Sequence, residues 1–170
     1  MKIQTLAALT LLTLLTLASS ALAARPGTQD ANLTGAQLCI DENSFSVEVG
    51  SLSSVSQKVV DSVYDYFLSQ AQKQKIKYVD SGKKACADYA VNIDVVATTG
   101  TPRAWLGEVS VTDSSAYILP DSKSGYPGYV SVWSSSYYGV LKDNSGLSDF
   151  FTGSMTELID ALFAAYKKVN

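Results

Sequence analysis

The stretch Tyr89-Ala90-Val91-Asn92-Ile93-Asp94-Val95 alternates apolar and small or polar side chains without a break. Period two is the spacing of a half-buried strand, because successive side chains leave a strand on opposite faces. Three other stretches repeat the pattern. Phe45, Val47 and Val49 alternate with Ser44, Ser46 and Glu48; Trp105, Val109 and Val111 with Glu108, Ser110 and Thr112; Val130 and Val132 with Tyr129, Ser131 and Trp133. Ile76 to Val79 is a short fifth candidate, 98–102 reads as a hairpin turn, and 120–128 as a longer loop.

Between and after these strands the period changes to that of a helix. Val59, Val60, Val63, Tyr64, Phe67, Leu68 and Ala71 make an apolar stripe, and Ser54 with Gln57 forms a capping-box pattern, which predicts a helix over 54–74. Ser154 and Glu157 repeat that pattern before Leu158, Ile159, Leu162, Phe163 and Tyr166, with Lys167 and Lys168 where the helix dipole favours cations and a further turn at 147–151. The order is β-α-β-β-β-β-α. One apolar and one polar face per strand specifies a mostly antiparallel sheet of four to five strands. Two amphipathic helices on one face complete a two-layer α+β sandwich. The opposite face, with Glu48, Asn92, Asp94, Glu108, Ser110, Tyr129 and Trp133, is then open.

Residues 1–23 have the form of a secretory signal peptide. Lys2 gives the positive start, 6–17 the apolar run, and Ala21-Leu22-Ala23 the small-x-small cleavage pattern. The run is short of the roughly 20 residues of a membrane span. No cysteine follows it at once, and no later segment is apolar enough to cross a bilayer. Residues 24–35 read as a flexible leader, with a sequon at Asn32-Leu33-Thr34, and 36–170 as one globular domain. Export to the periplasm or the extracellular space fits the cysteines: Cys39 and Cys86 are the two in the chain and are expected to form one disulfide.

Absent residue types restrict the chemistry. The 170 residues contain no histidine, which removes Ser-His and Cys-His nucleophile pairs and the common histidine metal sites. Without Lys2, 12 of the 13 basic side chains remain against 16 acidic ones, so there is no basic stripe for nucleic acid. There is no P-loop or dinucleotide fingerprint. No cofactor or metal is expected. Ser81-Gly82-Lys83-Lys84 and Lys123-Ser124-Gly125 match fragments of the penicillin-interactive serine enzymes, but in a glycine turn of a short chain they read as solvated loop lysines.

Two surfaces remain as candidates. Tyr126, Tyr129, Trp133 and Tyr137 lie in the serine-rich aromatic segment from Tyr126 to Tyr138, where they would stack on a glycan or anchor a protein; the competing readings pack them against a loop or put them in the core through an inverted register. Glu48, Asp94 and Glu108 are carboxylates of the open face, where a hydrolase would need a converging pair.

The strand at Phe45 to Val49, the long helix after it, Ala87-Asp88-Tyr89 leading into the next strand, and the closing helix together resemble small α/β domains of bacterial envelope proteins, such as the amino-terminal domain of TolB and the CsgG/LpoB group. The likeness covers Leu38 to Tyr166, and the chain departs from the lipoprotein members in lacking an anchor cysteine. The resemblance implies an assembly or interaction module rather than an enzyme. The expectation is thus an exported, non-enzymatic domain that binds a protein or cell-envelope partner, with Tyr126, Tyr129, Trp133, Tyr137 and Glu108 as contact residues. The alternatives are a glycan- or small-ligand-binding module and a carboxylate hydrolase.

Overall fold

The structure is a computed structural model that describes residues 28–113 and 130–170. The signal-peptide segment, Lys123, Tyr126 and Tyr129 lie outside the described residues. The elements are α1 (Thr28–Ala31), β1 (Leu38–Ile40), β2 (Phe45–Val49), α2 (Ser53–Gln74), β3 (Tyr78–Asp80), β4 (Ala90–Ala97), β5 (Arg103–Asp113), β6 (Val130–Leu141) and α3 (Leu147–Val169).

β4 behaves as its alternation predicts: Val91, Ile93, Val95 and Ala97 are buried, and the residues between them are not. It organises a single six-stranded sheet in the order β3-β1-β4-β5-β6. β2 shares an edge of β4 with β1; β1 meets β4 at Cys39/Ala90, and β2 takes over from Phe45/Ile93 to Val49/Ala97. The two long ladders, β4/β5 and β5/β6, are antiparallel, whereas β1/β3, β1/β4 and β2/β4 are parallel. The parallel part needs a crossover, and α2 supplies it between β2 and β3.

Both long helices cover the same face. α2 buries Val59, Val63, Phe67 and Ala71 at i, i+4 spacing. It stops where Lys75 turns left-handed (φ 58°) and the Ile76 N–H donates to Ala71 O at 2.9 Å. α3 buries Leu147, Phe151, Met155, Leu158, Ile159, Leu162, Phe163 and Tyr166. The helices meet at Phe67 and Phe163, whose ring centroids lie 5.1 Å apart. The sandwich is therefore the two-layer α+β arrangement expected.

Three local expectations fail, the first being the Ser54–Gln57 capping box, since α2 begins at Ser53 and has Leu52 at its N-cap with no side-chain cap bond. Ser154 and Glu157 do not start a helix; they lie inside α3, where the Ser154 hydroxyl donates to Phe150 O at 3.0 Å. The buried stripe from Leu147 onward is continuous, and it carries the helix through Gly153. Residues 28–35 are not a free leader. Leu33 is fully buried, Lys168 pairs with Asp30 at 2.8 Å, and Asn170 Nδ2 donates to Leu33 O at 2.7 Å. Apolar burial and the end of α3 hold a segment whose composition reads as linker.

Cys39 and Cys86 form the expected disulfide. It ties β1 to the 81–89 loop, where the Cys86 N–H donates to Asp41 Oδ2 at 3.0 Å. Ser81 Oγ lies 3.7 Å from Cys39 Sγ and 3.8 Å from Cys86 Sγ, and donates to Lys84 O. The serine of the Ser-x-x-Lys match is thus committed to the bridge and its loop. Among the described residues no helix is long and apolar enough to cross a membrane.

Candidate functional site

The β5/β6 ladder decides where the expected contact residues go. Trp133 stands opposite Val111, in register with the core residues of β4 and β5, and is 5% exposed. It belongs to the helix-covered face, not to the open one. The cause is a register shift between Val111/Trp133 and Thr112/Ser131, which leaves Val132 as an extra residue. A sequence pattern carried straight through that bulge inverts the face of everything beyond it. Trp133 therefore has no ring face free to stack on a sugar. Tyr137 lies on the same helix side, opposite Gly107, but 42% exposed at the margin of the helix layer. Glu108 is on the open face as expected.

The open face is organised in rows across the strands. Asn92, Ser110 and Ser134 form one row, Asp94, Glu108 and Ser136 the next, and Val96, Leu106 and Tyr138 the third; Ala104 and Val140 lie beyond. On the β2 side Ser46 continues the carboxylate row and Glu48 the apolar one. Val96, Leu106, Tyr138 and Val140 are 50%, 45%, 84% and 64% exposed, and they are direct or adjacent neighbours. This is a contiguous apolar strip beside a strip of carboxylates, on a face that no helix covers among the described residues. Sequence reasoning reached Tyr138 as the end of the aromatic segment and missed Val96, Leu106 and Val140. The signal was present as doubled apolar positions, Val95-Val96, Trp105-Leu106 and Tyr137-Tyr138, because two apolar neighbours in a strand cannot both face the core.

Asp94 and Glu108 stand directly opposite one another. Asp94 is half-buried; burial first, and the Glu108 charge second, raise its carboxyl above the ordinary carboxylate range. Glu48 sits one row away, opposite Val96. A raised folded-state pKa means that Asp94 contributes stability fully below the unfolded value, near 3.9, and that this is lost as pH rises through the folded value. Asp94→Asn is accordingly expected to stabilise the domain at pH 7 by up to about 1 kcal/mol, after allowance for solvent screening. The gain should vanish below about pH 3.9. Urea midpoints at the two pH values check this; an unchanged or lowered midpoint at pH 7 contradicts it.

A polar cavity of about 450 Å³ adjoins the carboxylate row, lined by Asn43, Ser44, Asn92, Asp94, Ser110 and Thr112. Of its two side-chain amides, that of Asn92 is already engaged, since its Nδ2 donates to Thr112 Oγ1 at 3.2 Å. A second cavity, about 590 Å³, lies beside the disulfide between the 81–89 loop and 35–39.

No family model and no curated protein matches the chain. Among solved structures it is similar to the PelC dodecamer from Paraburkholderia phytofirmans, at 15% identity over 74% of this chain and 86% of that one, with a TM-score of 0.43. A point variant of the same dodecamer, in another crystal form, aligns over the same shares at 14% identity and a TM-score of 0.39. At that distance no residue's role passes from PelC to this chain.

Proposed function

We propose that the chain is an exported interaction domain without catalytic chemistry of its own, and that it holds a protein partner of the cell envelope on the open face of its sheet. The observation that carries this reading is the exposed strip of Val96, Leu106, Tyr138 and Val140. Contiguous apolar surface of this kind, rimmed by polar residues, marks interaction sites. The neighbouring Asp94 and Glu108 define the partner further. A lysine or arginine set beside apolar side chains would cover the strip and relieve the repulsion between the two carboxylates. The Cys39–Cys86 bridge fits an oxidising compartment.

The test is crosslinking and affinity capture in the native host, run side by side with the wild-type chain and Leu106→Asp. The substitution places a charge in the middle of the strip and leaves the helix-covered core untouched. One or two envelope proteins should be enriched by the wild type and reduced at least about tenfold in the variant, which corresponds to roughly 1.4 kcal/mol of binding energy. Equal recovery by both proteins would overturn the assignment of this face. Binding should also weaken as acid protonates Asp94.

A further inference from the structure

The three outer strands differ in how they are guarded. β3 is three residues long and ends in Asp80; β2 is five residues long and carries Glu48. β6 is twelve residues long and contains no charged residue and no proline. Natural sheets protect long edges with such residues, since an unguarded edge is a template for another strand. Part of the β6 edge is occupied within the chain, because Asn32 Nδ2 donates to Val132 O at 2.9 Å. Beyond that bond, among the described residues, no other element's hydrogen bond reaches the outer edge of β6 before Leu141 ends the strand.

We infer that β6 pairs antiparallel with β6 of a second copy of this chain, about a two-fold axis at Tyr138. Three observations choose this occupant and this register. First, the edge is neutral, so two copies of an acidic chain meet there without opposing charges. Second, the stretch after Val132 and up to Leu141 is centred on Tyr137, one residue from Tyr138; pairing about Tyr138 joins 135–141 to itself and leaves the Asn32 bond intact. Third, the apolar row Val96-Leu106-Tyr138 runs to the edge and ends on the most exposed of the large apolar side chains. A two-fold at Tyr138 continues it as Tyr138-Leu106-Val96 of the partner. On the helix side the same register sets Tyr137 opposite Gly139 of the partner subunit, so the ring meets a position without a side chain. The axis stands perpendicular to the sheet, so both open faces point the same way and remain available. The pairing does not depend on the envelope-partner reading.

The register makes the test specific. The chain has no free cysteine, so Tyr138→Cys introduces a single thiol. Directly paired Cα atoms lie about 4.5–5.5 Å apart, within disulfide reach, so mild oxidation of this variant should give a covalent dimer. In Ser136→Cys the two thiols stand four residues out of register, about 13 Å apart, and should not couple. Sedimentation should show wild-type dimers at about 100 μM. Ser136→Lys with Val140→Lys sets like charges opposite one another at both ends of the seam and should weaken dimerisation at least about tenfold. Ser136→Lys with Val140→Glu sets opposite charges there and should restore it. Wild type that stays monomeric, coupling of Ser136→Cys in place of Tyr138→Cys, or equal dimerisation of the two charged pairs would each overturn the pairing. A monomer that still captures its partner through Leu106 would overturn the pairing alone.

Discussion

Replacing both Cys39 and Cys86 by serine is expected to lower the unfolding free energy by about 4 kcal/mol, a large share of the roughly 5–15 kcal/mol on which a domain rests. The bridge closes a loop of 47 residues that includes β2, α2 and β3. Chain entropy sets the size of the effect, because the cross-link removes open conformations from the unfolded chain. The native fold has separate means of holding this loop. The Ser81 N–H donates to Ile40 O, the Glu42 N–H to Gly82 O and the Cys39 N–H to Tyr89 O, at 2.9, 2.9 and 3.1 Å. The double variant should therefore fold to the same structure with a midpoint lower by roughly 10–20 °C. Its denaturant slope should rise, because the unbridged unfolded chain exposes more surface. Urea melts of the wild type, the reduced wild type and the double variant check this. A loss below about 1 kcal/mol would mean that the bridge constrains little that the unfolded chain would otherwise explore.

The elements that were legible in the sequence are those in which one strong period runs the whole length. β4 alternates without a fault, and α2 carries its stripe from Val59 to Ala71. The capping signature at Ser154 misled because it is local, whereas the continuous apolar stripe that sets the true start of α3 reaches back to Leu147. The Gly146 position before it is left-handed (φ 64°), a conformation that glycine adopts without strain. Residues 28–35 were illegible for the opposite reason. A single apolar side chain, Leu33, anchors them, and the bonds that dock them involve Val132, Asn170 and Lys168, a hundred residues or more away. The parallel pairings of β1 and β2 with β4 are also long-range choices, which alternation within a strand does not encode.

The open face was legible as a face but not as a site. Glu108, Asp94 and Asn92 fall on it as their alternation requires. What turns part of that face apolar is the alignment of doubled apolar positions in three strands, and alignment is set by the ladder register rather than by any one strand. Arg103 shows the same limit. It is 3% exposed, donates from Nε to Asn144 Oδ1 at 3.1 Å and from Nη1 to Thr98 O, and so joins the β4–β5 turn to the loop before α3. Nothing near it in sequence announces a buried arginine.

The second large effect separates the two aromatic residues that the β6 bulge exchanges. Trp133→Ala should cost about 3–5 kcal/mol, the usual loss for a large aromatic removed from a packed core. Tyr138→Ala, at a position 84% exposed, should change stability by no more than about 0.5 kcal/mol. For binding the order reverses. At a temperature where both variants are folded, Tyr138→Ala should lose the captured partner at least about tenfold, while Trp133→Ala keeps it. The physical basis is that Trp133 shares its face with Val111, beneath the helix layer, whereas Tyr138 shares its row with Leu106 and Val96 in solvent. Urea melts with fluorescence read the stability half, and capture from the host reads the binding half. A Trp133→Ala protein of wild-type stability that no longer binds would move the tryptophan onto the open face. It would also remove the bulge at Val132, because without that extra residue an unbroken register would make the original alternation hold through β6.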